Sequence, residues 1–597
     1  MNDKHLVRLQ KIIDRMSLRN HQLGVWRSGA FLAMSGLIVL GAVDVFPGPA
    51  FLAAAVCLIV FLVLLRAHQR VRQMLALFQS RLGLERRRLA THRLRWADIP
   101  RREEPVPGVR PTYLTDLNIV GEQSLFRLLD HTVSTSGARF LLGLFLSNEV
   151  DAAEIRRRSR VVQELRRLRF LRYSFLSRVG AGEKLVENDQ ISGLFSESLS
   201  DLKSIWPFLW ICALQLTMLA LFIPYVGGDA RPFFMIPALL LVMESLRLRK
   251  KVHARRAYGW SLSATVSLEN LRSAIGILER YSETRHSELG KILFCFRKER
   301  SASTRLAQLD RISGALGARQ NFIVHGLLHL VVPWDLAWTL LLERLRLKVQ
   351  EDLVQWQRSL AEFEGFMSLA MYADANPDFS EAVLHEDGGI LLDAENLRHP
   401  MIPKDQAVGN PVLIDEKERC LLITGSNMSG KSTFMRSIGV NDLLAKAGAP
   451  VAADRFLFMT RPLFTSLSGG DSLQDGLSSF YAEVKRLKEI LQYVREQKEA
   501  LFLIDEIFRG TNNRERLIGS QAYLKEIVAI GGMGVVTSHD LELSQLEDLG
   551  IGIANYHFRE TIEGSTMSFS FRKARGPCPT TNALKVMEMN GLPIGSI

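Results

Sequence analysis

Three short segments in the last third of the chain carry residues that can do chemistry together. The first reads Thr424-Gly425-Ser426-Asn427-Met428-Ser429-Gly430-Lys431-Ser432-Thr433. A glycine, four residues, then Gly-Lys-Ser is the G-x-x-x-x-G-K-S pattern of a P-loop. Gly425 and Gly430 let backbone N–H groups wrap a polyphosphate with no Cβ in the way. Lys431 supplies a point charge for the outer phosphates, and the Ser432 hydroxyl is a ligand for Mg²⁺. The chemistry indicated is binding of ATP or GTP. The second segment places Asp505 and Glu506 side by side. Asp505 is assigned to the metal and Glu506 to the attacking water, as a base or an orienting group. The third ends in a single histidine, His539, which suits a sensor of the γ-phosphate.

Each of these groups needs an element to hold it. Cys420-Leu421-Leu422-Ile423 reads as a buried strand leading into the glycine loop, and a helix is expected directly after it. That helix would aim its positive end at phosphate. Leu501-Phe502-Leu503-Ile504 and Gly534-Val535-Val536-Thr537-Ser538 read as two more strands, ending at Asp505 and His539. Ligands of open α/β sheets sit at the carboxyl ends of parallel strands, which would gather the three segments.

Thr424 to Arg436, with Asn-Met inside its loop, resembles the P-loop of the MutS mismatch-repair ATPases, a branch of the ABC-type ATPases. Asp505-Glu-Ile-Phe-Arg-Gly-Thr511 is similar to that family's acidic strand and following loop, and Thr537-Ser-His539 to its histidine switch. Ser466-Leu-Ser-Gly-Gly-Asp471-Ser-Leu473, Gly476-Leu-Ser-Ser-Phe480 and Glu483 resemble its signature segment. Asn396-Leu-Arg-His-Pro400 and Asn590-Gly-Leu-Pro593 resemble motifs near the two ends of its ATPase domain. The resemblance covers roughly residues 385–597. Upstream, Leu125-Phe-Arg-Leu-Leu-Asp130, Gly137-Ala-Arg139 and Leu141-Leu142 look like the start of the family's helical lever, and Glu362-Phe-Glu364 with Ser368-Leu-Ala370 like its return.

The resemblance implies an ATP hydrolase using Mg²⁺, with two ATPase domains facing each other as a homodimer. Ser478 or Ser479 would then touch the partner's ATP, and hydrolysis would be coupled to opening and closing. Three departures bear on this. Ser426 and Ser429 stand where the family usually has Pro and Gly. Asn512-Asn513-Arg514-Glu515-Arg516 differs from the usual small and acidic residues of a loop that reports across the dimer. The helix–turn–helix that clasps the partner is expected to be missing.

Four apolar stretches, 28–43, 50–65, 205–226 and 232–243, interrupt a basic chain of 597 residues with formal charge +12. They pair as hairpins about Asp44-Val-Phe-Pro-Gly-Pro49 and Gly227-Gly-Asp-Ala-Arg231. The longest is sufficient to span about 30 Å of hydrocarbon. Basic residues crowd the flanks, from Lys4 to Arg27, from Arg66 to Arg88 and from Arg247 to Lys251, and almost none lie in the turns. The positive-inside rule places the flanks and the ATPase domain in the cytosol and the turns outside. A multi-pass protein of the inner (cytoplasmic) membrane is expected, with no cleavable signal peptide. Buried core helices are the alternative.

The expected fold is therefore an α/β P-loop ATPase domain of ABC-type, MutS-like form on a mostly α-helical, lever-like region with transmembrane hairpins. Its order is a basic amino-terminal segment (1–27), a membrane hairpin (28–66), lever-like helices (67–200), a second hairpin (201–247), further lever-like helices (248–384) and the ATPase domain (385–597). Asn376-Pro377 and Asp387-Gly388-Gly389 mark the linker into the last of these. Five scattered cysteines without metal spacing fit a reduced cytosol. Arg156-Arg157-Arg158-Ser-Arg160 and Arg166-Arg167-Leu-Arg169 form a basic helix that could meet DNA phosphates, anionic lipid heads, or only solvent. A membrane hairpin stands where mismatch readers carry their recognition domain, and no strand-rich DNA clamp is evident. The expected function is a membrane-anchored ATPase coupled to DNA binding or processing, as in DNA mismatch repair proteins, without mismatch recognition by their route. A membrane ATPase driving a protein or membrane process without nucleic acid is the alternative function.

Overall fold

The computed structural model describes residues 3–43, 47–105, 108, 111–179, 195, 206–226, 242, 255–261, 268–282, 287–297, 301–317, 325, 333–386, 389–426, 429–467, 479–497, 499–563 and 566–579. The chain divides into two compact units. One comprises Met1–Arg86, Val133–Gly137 and Leu168–Phe363, the other Arg87–Thr132, Ala138–Arg167 and Glu364–Ile597.

The first unit opens on two helices, Asp3–Ala42 and Pro47–His92, the second of which runs on past the unit's boundary. Proline opens a helix without loss, because a first-turn N–H has no partner within the helix. The two run antiparallel. Arg86 donates to Gln10 at 3.1 Å, Leu9 and Ile13 pack with Leu82, and the rings of Phe31 and Phe61 lie 5.8 Å apart. At 1.5 Å per residue, 40 and 46 residues give lengths of about 60 and 69 Å, twice the hydrocarbon thickness of a bilayer. The apolar residues occupy the halves next to the turn, and the basic residues extend the same helices beyond them. Lys4–Ala42 and Gly48–His92 are long and apolar enough to cross a membrane. Leu32 and Leu52 expose 70% and 72% of their surface, so these apolar faces are not spent on a protein core.

The third apolar stretch lies in the helix Trp206–Val226. The fourth, 232–243, falls outside the described residues except for Val242. Ala302–Gly317 and the amino-terminal part of Trp334–Ala375 are joined by an Arg305–Asp352 ion pair. Phe175 meets Phe363 edge to face, with centroids 5.0 Å apart.

The second unit is built on sheets. Its strands are β1 (Val383–Leu384), β2 (Ile390–Leu397), β3 (Asn410–Asp415), β4 (Cys420–Thr424), β5 (Arg455–Phe458), β6 (Leu463–Ser466), β7 (Leu501–Ile504), β8 (Met533–Ser538), β9 (Ile553–His557), β10 (Glu560–Glu563), β11 (Thr566–Phe569) and β12 (Ala574–Arg575). The larger sheet has the order β12-β9-β4-β8-β7-β6, parallel except for β12. A smaller sheet runs β1-β5-β2-β3, and β10 pairs with β11. β4 and β7 are apolar and buried along their whole length, as expected of parallel strands covered on both faces. The helices Lys431–Lys446, Ser479–Gln497 and Asn513–Ala529 connect them. Leu487, Ile490 and Val494 of the second helix and Leu524, Ile527 and Val528 of the third share a core with Leu422, Phe502 and Val536.

Candidate active site

Register decides which residues meet. Thr424 pairs with Ser538, and Ile504 with Val536, so β4, β7 and β8 end side by side. Their next residues are Gly425, Asp505 and His539. The three segments separated in sequence converge on one edge of the sheet.

The loop after β4 closes on its own carbonyls. Gly425 and Gly430 adopt φ of +138° and +107°, in the left-handed region that favours glycine. A Cβ on Gly425 would lie 2.2 Å from the Phe558 carbonyl oxygen, so no other residue fits there. Lys431 is buried, and its Nζ donates to the carbonyls of Gly425 and Ser426, both at 2.7 Å. The buried Ser429 donates its hydroxyl to the same Ser426 carbonyl at 2.8 Å. A serine at position 429 thus fits the loop and ties it shut. Lys431, Ser432 and Thr433 form the first turn of the following helix, with Thr433 exposed. Asn427 and Met428 lie outside the described residues.

Ser432 donates its hydroxyl to Asp505 Oδ2 at 2.7 Å. The two expected metal ligands therefore meet through oxygen atoms, the donor type that hard divalent cations take. The Thr537 hydroxyl donates to the other oxygen of Asp505 and accepts the Glu506 backbone N–H at 2.9 Å. One side chain on β8 holds two consecutive residues beyond β7.

The chain turns sharply beyond the acidic strand. Glu506 has φ +52° and Phe508 φ +57°, a conformation that costs a side-chain-bearing residue energy and persists only when its surroundings enforce it. His539 Nε2 donates to Glu506 Oε1 at 2.9 Å. Arg509 approaches the other oxygen at 3.3 Å, from a side chain that is 75% exposed. Behind the histidine, Arg516 makes a double ion pair with Asp540. The hydrogen bonds to Asp540 hold the Arg516 guanidinium above its usual range.

Thr537, Arg509, Arg516 and Asp540 support the site through contacts between segments, and the motifs assign none of them a role. The Lys573 ammonium sits 3.8 Å from the Tyr556 ring centroid, and burial lowers its pKa to about 8. Phe571, at φ +52°, lies against Gly430, where an added Cβ would be 3.1 Å from its ring. Of the two serines expected to reach a partner's nucleotide, Ser478 is outside the described residues. Ser479 is the first residue of the helix Ser479–Gln497.

Residues 421–597 match the family model MutS domain V. The DNA mismatch repair protein MutS of Thermotoga maritima is 29% identical over 253 residues, as is that of Thermotoga petrophila. The match covers 41% of this chain and 31% of either relative, so the chain spans about a third of the length of the curated relatives it matches.

Proposed function

We propose, from the match of residues 421–597 to MutS domain V, that the chain is a MutS-family ATPase that binds and hydrolyses ATP at the end of β4. The carrying observation is that Ser432 meets Asp505 and His539 meets Glu506, beside the buried Lys431, on segments that follow three adjacent strands. Lys431 exchanges its two loop carbonyls for the outer phosphates of ATP. Gly425 to Thr433, Asn427 and Met428 included, form the cradle, and the helix from Lys431 presents its positive end to the bound anion. Ser432 and Asp505 hold Mg²⁺, which when bound neutralises phosphate charge. Glu506 accepts the proton of the attacking water, and His539 fixes that carboxylate while sensing the γ-phosphate.

The partner and location readings follow. Two such domains face one another as a homodimer, with Ser478 or Ser479 completing the opposite site. The helices Asp3–Ala42 and Pro47–His92 anchor the protein in the inner membrane, and the ATPase domain faces the cytosol. Their basic extensions support that orientation. ATP turnover is coupled to DNA binding or processing. A second reading, favoured by the two exposed apolar helices, is a membrane ATPase that works on a protein or the bilayer without nucleic acid.

The test is ATP hydrolysis by the detergent-purified chain, alone and with homoduplex, mismatched and branched DNA. Glu506→Gln should retain ATP binding and lower turnover about 10²–10⁴-fold, the usual contribution of a general base. An unchanged rate in that variant removes Glu506 from the mechanism. Stimulation by one DNA form names the substrate class, and a rate indifferent to DNA supports the second reading.

A further inference from the structure

The strained turn beyond Asp505 is held from a direction the nucleotide site does not explain. Phe508, at φ +57°, donates its backbone N–H to Glu483 Oε1 at 2.6 Å. The Arg509 backbone N–H also favours the charged form of this carboxyl. Glu483 lies in the second turn of the helix Ser479–Gln497. One turn earlier, Phe480 packs on the backbone of Gly510, where an added Cβ would lie 2.7 Å from the Phe480 Cβ. The Phe508 ring is in turn flanked by Phe480 and Tyr523, with centroids 6.5 and 6.2 Å away. Two consecutive turns of one helix thus grip residues 508–510 by a carboxyl and by a ring. Burial pushes the Glu483 carboxyl up, against the pull of the two N–H groups. Glu483 is half-buried, and a carboxyl drawn partly out of water loses solvation that its hydrogen bond to Phe508 offsets.

Resting on the hydrolase reading above, we propose that Glu483 is a positioning residue: by binding the Phe508 backbone it holds the left-handed turn that sets Glu506, and couples the amino-terminal end of the helix Ser479–Gln497 to hydrolysis. A shift of that helix end, such as engagement of a partner at its first residues, moves the turn carrying the base. The loop without this grip relaxes from its left-handed conformation, and Glu506 leaves His539. ATP binding, which uses the loop after β4, is unaffected.

The experiment compares Glu483→Ala and Glu483→Gln with the full-length wild type in detergent. Glutamine keeps an acceptor oxygen for the Phe508 N–H, whereas alanine removes it. The expected result is a kcat at least tenfold lower in Glu483→Ala, with the Kd for Mg-ATP and the unfolding temperature close to wild type. Glu483→Gln should restore kcat to within about threefold of wild type. Amide hydrogen exchange of the segment 505–512 should quicken in the alanine variant alone. Wild-type kcat and exchange in Glu483→Ala overturn the proposal, and so does a fall in kcat matched by equal losses of ATP affinity and stability. The exchange measurement needs no turnover. A wild type without Glu506-dependent hydrolysis therefore fails the hydrolase reading separately from the clamp.

Discussion

Arg516 and Asp540 form a double ion pair, Nε to Oδ2 and Nη2 to Oδ1, each at 2.8 Å. Arg516 belongs to the helix after the acidic loop, and Asp540 follows the histidine that touches Glu506. The pair ties the run Asn512 to Arg516, which departs from the family's usual residues, to the histidine end of β8. Both side chains are mostly shielded, so this bidentate contact exceeds an ordinary surface pair. Arg516→Ala and Asp540→Ala should each lower kcat by about three- to tenfold, through looser placement of His539. The double variant should be no worse than either single one, because they break the same contact. Strictly additive losses in kcat would refute the shared role.

Thr537 supports both acids through one hydroxyl. Thr537→Val keeps the shape but leaves the Glu506 N–H and an Asp505 oxygen without that partner, a cost of about 1–3 kcal/mol. Turnover should fall more than ATP affinity, and Thr537→Ser should restore most of it. Steady-state kinetics alongside thermal unfolding separates the two effects; wild-type turnover in Thr537→Val would show that the hydroxyl is not needed.

His399 should make the protein sensitive to acid. Burial, reinforced by the nearby Arg436, lowers its pKa from 6.5 to about 4. Its Nδ1 accepts the Met401 N–H at 3.2 Å, which requires that nitrogen to be unprotonated. Between pH 6.5 and 4 the unfolded chain binds this proton and the folded chain does not. Stability is therefore fully present above about pH 6.5 and declines as the pH falls toward 4. The loss is at most about 3 kcal/mol, less what solvent reaching the ring offsets. Urea unfolding at pH 7 and pH 4.5 should show a smaller difference for His399→Gln than for wild type. An equal difference in both proteins would assign the acid sensitivity elsewhere.

The amino-terminal hairpin makes a topological prediction. Val43, at the end of the first helix, should face the side opposite the ATPase domain. In a background with the native cysteines replaced, Val43→Cys should react with an impermeant maleimide added to intact cells, and a cysteine at Thr433 should react only after lysis. The reverse pattern would invert the orientation, and extraction of the chain by carbonate would exclude spanning altogether. Leu58→Arg should reduce membrane insertion, since a central arginine costs about 2.5–3.5 kcal/mol on insertion scales.

The loop between β4 and the helix from Lys431 was legible because it is built from consecutive residues, and its left-handed positions appear as Gly425 and Gly430. The buried strands ending at Asp505 and His539 were legible for a similar reason: unbroken apolar runs mark strands covered on both faces. Of the four apolar stretches, the first two lie in the two helices that, among the described residues, are long and apolar enough to cross a membrane. What depended on tertiary structure was every contact made between segments. Thr537 serves Asp505 and Glu506 only because β7 and β8 pair in one parallel register; a shift by one residue would turn its hydroxyl to the other face. Glu483 stands among the signature residues in sequence, but its bond to Phe508 arises from how two elements pack around a left-handed turn. Arg516 and Asp540 are 24 positions apart, and composition cannot pair one arginine among many with one acid among many. Local chemistry is written in neighbouring residues, whereas the positioning of that chemistry is set by strand register and helix packing, which bring together side chains that sequence keeps apart.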